Sequence, residues 1–271
     1  MSNVISNGLS TLGTLYLWMF PLWGAKRDIY PYFKTAPKLE DFDEEFNSRV
    51  LKIFDEFLKK NNVDPNLKVY QKWTGHHMAA FTSLKEKRIM VLPNLLDIDE
   101  AAFTHSFKHE ISHVKDNDSI KTSLLCSIFS ISSMFFLRHY YGFSFISTAI
   151  FQKILKEVFK KALHSCIERK ADNFAIKNST QDEIKGGIRF IHAAKEVSDN
   201  APLPFLNYVL GTHQTPSSRK AALEATLNSE YVPSSEELAP LIELLKRNQE
   251  NVLVERIQEE AGGDQNHLEK S

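Results

Sequence analysis

The sequence predicts an α+β domain, mainly helical, with a small sheet and a hydrophobic helical hairpin. Three observations lead there. Apolar residues recur at three- and four-residue spacing through several segments, the period of one helix face. Three short runs rich in β-branched and aromatic residues crowd between Leu67 and Leu92. The stretch from Thr122 to Gln152 is almost wholly uncharged. A chain of 271 residues can bury a full core without disulfide staples.

The elements follow in order. Met1 to Ala25 carries no charged side chain and then meets Lys26-Arg27. Residues 1–30 are therefore read as an apolar N-terminal segment and candidate membrane anchor. Gly8 to Gly24 is long enough for a tilted or interfacial helix, and it lacks the basic start of a secretory signal peptide. Asp41 to Lys60 is an amphipathic helix, its apolar Phe46, Val50, Ile53, Phe54 and Phe57 lying at helical spacing. Leu67–Trp73, Met78–Ser83 and Arg88–Leu92 read as strands, with Arg88–Leu92 at a sheet edge. A helix then runs from about Asp99 to Asp116, capped by Asp97 or Asp99. The apolar hairpin spans 122–152, and a long helix runs from Ile154 to Lys177. Further helices cover Asp182–Val197, start at Arg219 and run from Ser235 to Glu260. The main domain is expected over 38–260, with a polar flexible tail at 261–271.

The chemistry-bearing run is His109-Glu110-Ile111-Ser112-His113. On a helix, positions i and i+4 share a face. Two imidazoles so placed can ligate one Zn²⁺, and the glutamate beside the first can act as general base. The alternative is two ordinary histidines and a solvated glutamate. A catalytic zinc needs a third protein ligand. Six residues past His113 stands Ser119, and no Glu lies between Glu110 and Glu157. Two common placements of that ligand are thus ruled out. Glu168 is the best candidate, with Asp172 one turn on, where it could hold a ligating histidine. The same pair also reads as two acids on a solvated helix beside Arg169 and Lys170.

His109-Glu-x-x-His113, then Glu168-x-x-x-Asp172, then His213 with Arg219 six residues on, resembles the zinc metallopeptidases typified by HtpX and the CAAX prenyl proteases, a group that includes the mitochondrial protease Oma. The resemblance covers about Val69 to Leu223. Ala79-Ala80-Phe81 and Lys87–Val91 resemble the family's strands ahead of the zinc helix. Three departures stand out: Ser112 where Gly is frequent, His77-Met78 where the family usually has Asn before the strand's Ala, and Gln214 where Pro follows the late His. The resemblance implies a zincin-like (gluzincin) domain holding one Zn²⁺ through His109, His113 and Glu168. It also implies an endopeptidase in which Glu110 is the base, Asp172 supports a ligand, and His213 and Arg219 assist at the oxyanion.

The partners expected are a protein or peptide substrate, pairing in extended form with strand 88–92, and membrane lipid. A net charge of −1 and the absence of a basic patch argue against nucleic acid. Cys126 and Cys166, the only cysteines, do not make a disulfide framework. Thr122 to Leu137 covers only about 24 Å as helix, short of a hydrocarbon core of roughly 30 Å. Spanning, shallow and buried hairpins all fit. The resemblance favours membrane contact, because HtpX carries transmembrane helices between the first two motifs. Where the N-terminal stretch Gly8 to Gly24 inserts, Lys26-Arg27 on its C-terminal side would keep the active site on the cytoplasmic side; the alternative is a soluble cytoplasmic protein. The rival function is a non-catalytic membrane-associated scaffold that retains a structural zinc site.

Overall fold

The computed structural model describes residues 42–71, 78–83, 86–92, 94–142, 144–199, 216–227, 231–248 and 250. The apolar segment at 1–30, His213 and the tail at 261–271 lie outside the described residues. The chain divides into two compact units. One comprises the described parts of Leu39–Phe81, Lys87–Asp116 and Glu168–Ser271; the other comprises the described parts of Thr82–Glu86 and Asn117–Ile167.

In the first unit, α1 (Glu44–Ile53) opens at Asp43, whose carboxylate accepts from the Phe46 N–H at 3.0 Å. A separate α2 (Asp55–Lys60) follows. The single helix expected over 41–60 is thus broken at Phe54, which leaves helical geometry and buries its ring 4.4 Å from Phe107. Three strands, β1 (Lys68–Gln71), β2 (Ala79–Thr82) and β3 (Lys87–Val91), form a sheet in the order β1-β3-β2. β1 and β3 are parallel, with Lys68 opposite Arg88 and Gln71 opposite Val91. The strand read as an edge is therefore the centre. Its Ile89 and Val91 are fully buried, and the Arg88 guanidinium lies over Tyr70 of β1 and Phe81 of β2. β1 is partly closed on its outer side, where Asn47 Oδ1 accepts from the Val69 N–H at 2.8 Å.

A short α3 (Leu95–Ile98) leads into α4 (Glu100–Asp116). Of the two candidate caps it is Asp99 that closes α4, accepting from the Ala102 N–H at 2.9 Å; Asp97 instead pairs with Arg49 at the surface. Ala102, Phe103, Phe107, Ile111 and Val114 sink one side of α4 into the main core. Its other side meets α7 (Gln181–Asp199). The approach is close, since a Cβ on Gly186 would lie 2.4 Å from the Ala101 carbonyl carbon and the Ala102 nitrogen. Only a residue without a side chain fits there. α7 begins with a reciprocal cap: Glu183 accepts from the Thr180 N–H, and Thr180 Oγ1 accepts from the Glu183 N–H. α8 (Pro216–Glu224) packs on α7, and residues 235–248 form a last described helix, α9.

The other unit is built on α5 (Asp118–His139) and the first part of α6 (Phe145–Lys177). α6 starts nine residues before the expected Ile154, because no Gly or Pro separates the second apolar half of the hairpin from the long helix. The two helices touch through Gln152 Nε2, which donates to the Ser130 carbonyl at 3.0 Å, and through the stacked rings of Phe129 and Phe159. Among the described residues α5 is the helix long and apolar enough to cross a membrane, by length and composition alone.

Candidate metal centre

The four-residue spacing on α4 brings His109 Nε2 and His113 Nε2 to 3.2 Å. Glu168 reaches the same point from α6. Its Oε2 lies 3.4 Å from His109 Nε2 and its Oε1 3.5 Å from His113 Nε2. His109 and Glu168 are buried, and His113 is slightly open. These three side chains form a group that could hold a metal ion. One donor atom from each of the three residues lies within 4.8 Å of the others, and two imidazole nitrogens with one carboxylate oxygen are a donor set that Zn²⁺ accepts.

The protonation pattern agrees. His109 Nδ1 lies 2.9 Å from Asp172 Oδ1, so its N–H donates there and Nε2 is the nitrogen turned toward His113 and Glu168. Asp172 is held in turn by Arg219, whose Nη2 and Nε donate to Oδ1 at 2.8 and 3.1 Å. Arg219 Nη2 also lies 3.3 Å from His109 Nδ1. Two donors cannot bond each other, so both N–H groups converge on the carboxylate.

Burial works against the charged form of each of these groups, and the pairing overcomes it. Desolvation raises the Asp172 pKa, but the His109 hydrogen bond and the Arg219 charge bring it down to about 2. Burial and Arg219 push His109 down, while the hydrogen bonds its ring donates to Asp172 and Glu168 outweigh them and hold it at about 9. Burial lowers Arg219, and the charges of Asp172 and Glu168 reverse that into a rise. With no metal bound, a proton on His109 would balance the carboxylates. A metal ion would displace it, since a ligating imidazole must be neutral.

The sequence-selected residues therefore come together in large part. His109, His113 and Glu168 converge, Asp172 lies behind His109, and Arg219 lies behind Asp172. Glu110 is buried next to His109 in the chain, and its charge reaches both His109 and Arg219.

Supports of this helix escaped the sequence reading. Lys108, one residue before the first ligand, is buried and donates to Glu183 at 2.7 Å and to the Asn178 carbonyl at 2.8 Å. Arg189 forks onto Asp99 at 2.7 and 2.9 Å, pinning the start of α4. His105 is buried one turn ahead of His109, its pKa driven down to about 3 by burial and then by the Arg219 and His109 charges. The Thr180-x-x-Glu183 spacing carries a local capping signal; the other contacts join residues distant in sequence.

The sequence model of peptidase family M48 matches residues 45–227, more than half of the chain. No curated protein matches it. The match spans both helices of the metal centre and Arg219. The chain belongs to peptidase family M48, whose members are zinc-dependent metallopeptidases.

Proposed function

Starting from membership of that family, we propose that the protein is a zinc-dependent endopeptidase with a zincin-like catalytic domain within 38–260. His109, His113 and Glu168 hold one zinc ion per chain. The observation that carries this reading is the convergence of two Nε2 atoms and a buried carboxylate within 4.8 Å of one another. Bound zinc would supply a water of pKa about 7 and polarise the scissile carbonyl.

The chain's own residues do the rest. The Glu110 carboxylate takes the proton from the attacking water and returns it to the leaving amine. Asp172 keeps the His109 proton on Nδ1, which leaves Nε2 free to ligate. Arg219 holds Asp172 in place and so acts on the site through Asp172 and His109, while His213 aids the carbonyl oxygen as negative charge develops there. An extended substrate pairs with β2, the sheet edge opposite the one that Asn47 partly closes. Retention of Glu110 favours catalysis over a scaffold with structural zinc, because a structural site needs ligands and no base.

We also place the protein at a membrane, through the hairpin at 122–152 with help from the apolar segment at 1–30, and with the active site on the cytoplasmic side. The apolar exposure of α5 supports contact with lipid. The HtpX-like branch of the family is the better match for such a hairpin.

The test combines metal analysis with cleavage of a quenched peptide. His113→Ala should lose zinc, while Glu110→Gln should keep it and lose nearly all turnover. His213→Ala should lower kcat by about 10²–10³ at near-constant KM. Full zinc occupancy in His113→Ala, or wild-type cleavage by Glu110→Gln, would overturn the assignment.

A further inference from the structure

Lys108 is only 7% exposed and stands one residue ahead of the first metal ligand. Its ammonium lies 5.5 Å from the centre of the Phe57 ring and makes two short hydrogen bonds. Nζ donates to the Asn178 carbonyl at 2.8 Å and to Glu183 Oε2 at 2.7 Å. These acceptors belong to different elements. Asn178 follows directly on the last residue of α6, the helix that carries Glu168 and Asp172. Glu183 lies in the first turn of α7, where the same Oε2 accepts from the Thr180 N–H at 2.7 Å. One turn before His109, His105 Nδ1 lies 3.2 Å from Ser179 Oγ. The corner at 178–183 is thus fastened to α4 at two positions.

The contacts between α4 and the second half of α6 run in opposite order along the two helices. Lys108 meets Asn178, His109 meets Asp172, and His113 meets Glu168. Lys108 therefore fixes one end of an antiparallel pair whose middle is the metal centre. At the other end Lys170 meets Asp116 at 2.6 Å, with the lysine side chain 59% exposed, and a surface pair of that kind holds little. The buried pair is also a poor source of stability, because desolvation offsets most of its attraction and an apolar residue would fill the space as well. What it supplies is direction. Its short bonds form at only one rotation and axial setting of α4, and a metal site needs its ligands placed within about 0.5 Å.

We propose that Lys108 is a positioning residue for the metal centre. Through Asn178 and Glu183 it sets the register of α4 against α6, so that His109 and His113 meet Glu168 before any metal binds. This rests on the zinc-site reading above and adds to it a residue that touches neither metal nor substrate.

The experiment compares the full-length wild type with Lys108→Met, Lys108→Met/Glu183→Gln and Leu245→Ala. Methionine keeps the length of the side chain and drops its charge. In the double variant glutamine still accepts from the Thr180 N–H and no carboxylate is stranded, so most of the lost stability should return. Should Lys108→Met not fold, the double variant carries the test alone. Leu245, fully buried on α9, makes none of these bonds, and its truncation lowers stability alone. Zinc affinity is measured by chelator competition at a temperature where circular dichroism shows the metal-free proteins folded. Co²⁺ is bound in parallel, since its visible absorption reports ligand geometry. Both Lys108 variants should bind zinc about 10-fold more weakly, the low end for supports of a metal ligand, with a weaker and shifted Co²⁺ band. At saturating zinc they should cleave peptide with lower kcat at near-constant KM. Leu245→Ala should match the wild type in all three. A double variant with wild-type zinc affinity and Co²⁺ spectrum would overturn the proposal and leave the peptidase reading standing. So would an equal loss of zinc affinity in Leu245→Ala, because the effect would then follow stability. A wild type that binds neither zinc nor Co²⁺ would overturn both.

Discussion

Asp172→Ala separates two jobs that one carboxylate performs. It removes the acceptor of the His109 Nδ1–H, 2.9 Å away. It also removes the partner of Arg219, whose Nη2 lies 2.8 Å from Oδ1. The first loss acts on the metal, because without the acceptor the His109 ring is no longer fixed in orientation or tautomer. Losing such a support weakens metal binding about 10–100-fold, or about 1.4–2.7 kcal/mol. The second loss acts on the fold. Stranding one member of a buried ion pair costs about 3–5 kcal/mol. The Arg219 side chain retains 23% exposure, which places the effect near the lower end, about 3 kcal/mol.

A double variant tells the two apart. In Asp172→Ala/Arg219→Ala no cation is stranded, so most of the lost stability should return. His109 still lacks its acceptor, so the zinc affinity should stay low. The assays are denaturant unfolding of metal-free protein and competition for zinc against a chelator. If the double variant recovers zinc affinity together with stability, the His109–Asp172 hydrogen bond does not tune the metal and the reasoning fails. If the single variant unfolds no more easily than the wild type, the guanidinium is adequately hydrated without Asp172 and the stability argument fails.

Other consequences are simpler to state. Gly186→Ala places a methyl against the Ala101–Ala102 backbone and should lower stability by about 1–3 kcal/mol; an unchanged melting temperature would show that the helices separate freely. His105 has a folded-state pKa of about 3 against an ordinary 6.5. Between those values the unfolded chain binds a proton that the folded chain does not, so stability falls as pH falls. The loss from pH 7 to pH 5 should be about 2 kcal/mol and should be missing in His105→Gln. Equal acid sensitivity of the two proteins would place the effect elsewhere.

The site was legible where its chemistry is local. The His109/His113 pair needs only the pitch of a helix, and Glu110 follows from its position beside the first ligand. Glu168 was reached by eliminating other placements and by resemblance. Its convergence with the histidines is tertiary, since nothing in the intervening residues says that α6 returns to α4. The misreadings have a common physical source. The apolar spacing runs unbroken through Phe54, whose ring packs on Phe103 and Phe107 from a distant helix where the helix breaks. Asp97 and Asp99 are equally good caps in sequence, and Arg189, ninety residues away, grips Asp99. Strand order is not written in any one strand, so the burial of Ile89 and Val91 between two neighbours could not be read from Lys87–Val91 alone.

Charge balance in the site leads to a test that needs no substrate. Glu110, Glu168 and Asp172 are all at most 7% exposed, and Arg219 is the one permanent cation among them. Three buried carboxylates facing one guanidinium leave an excess of about two negative charges, which low-dielectric surroundings do not tolerate uncompensated. A divalent ion supplies that charge in full. Without it His109 serves as a partial substitute, held protonated by Asp172 and Glu168 with a pKa of about 9. The sign follows directly. Below that pKa zinc must expel a proton to bind, so affinity should rise with pH by about tenfold per unit for this one group. Near neutrality zinc binding should therefore release about one proton from His109. Calorimetric titration in buffers of different ionisation enthalpy measures that number. Asp172→Asn should lower it, because the raised pKa depends on that carboxylate. A binding enthalpy independent of buffer, with affinity flat between about pH 6 and 8, would mean that His109 is already neutral in the empty site. The excess negative charge would then have to be met by another group.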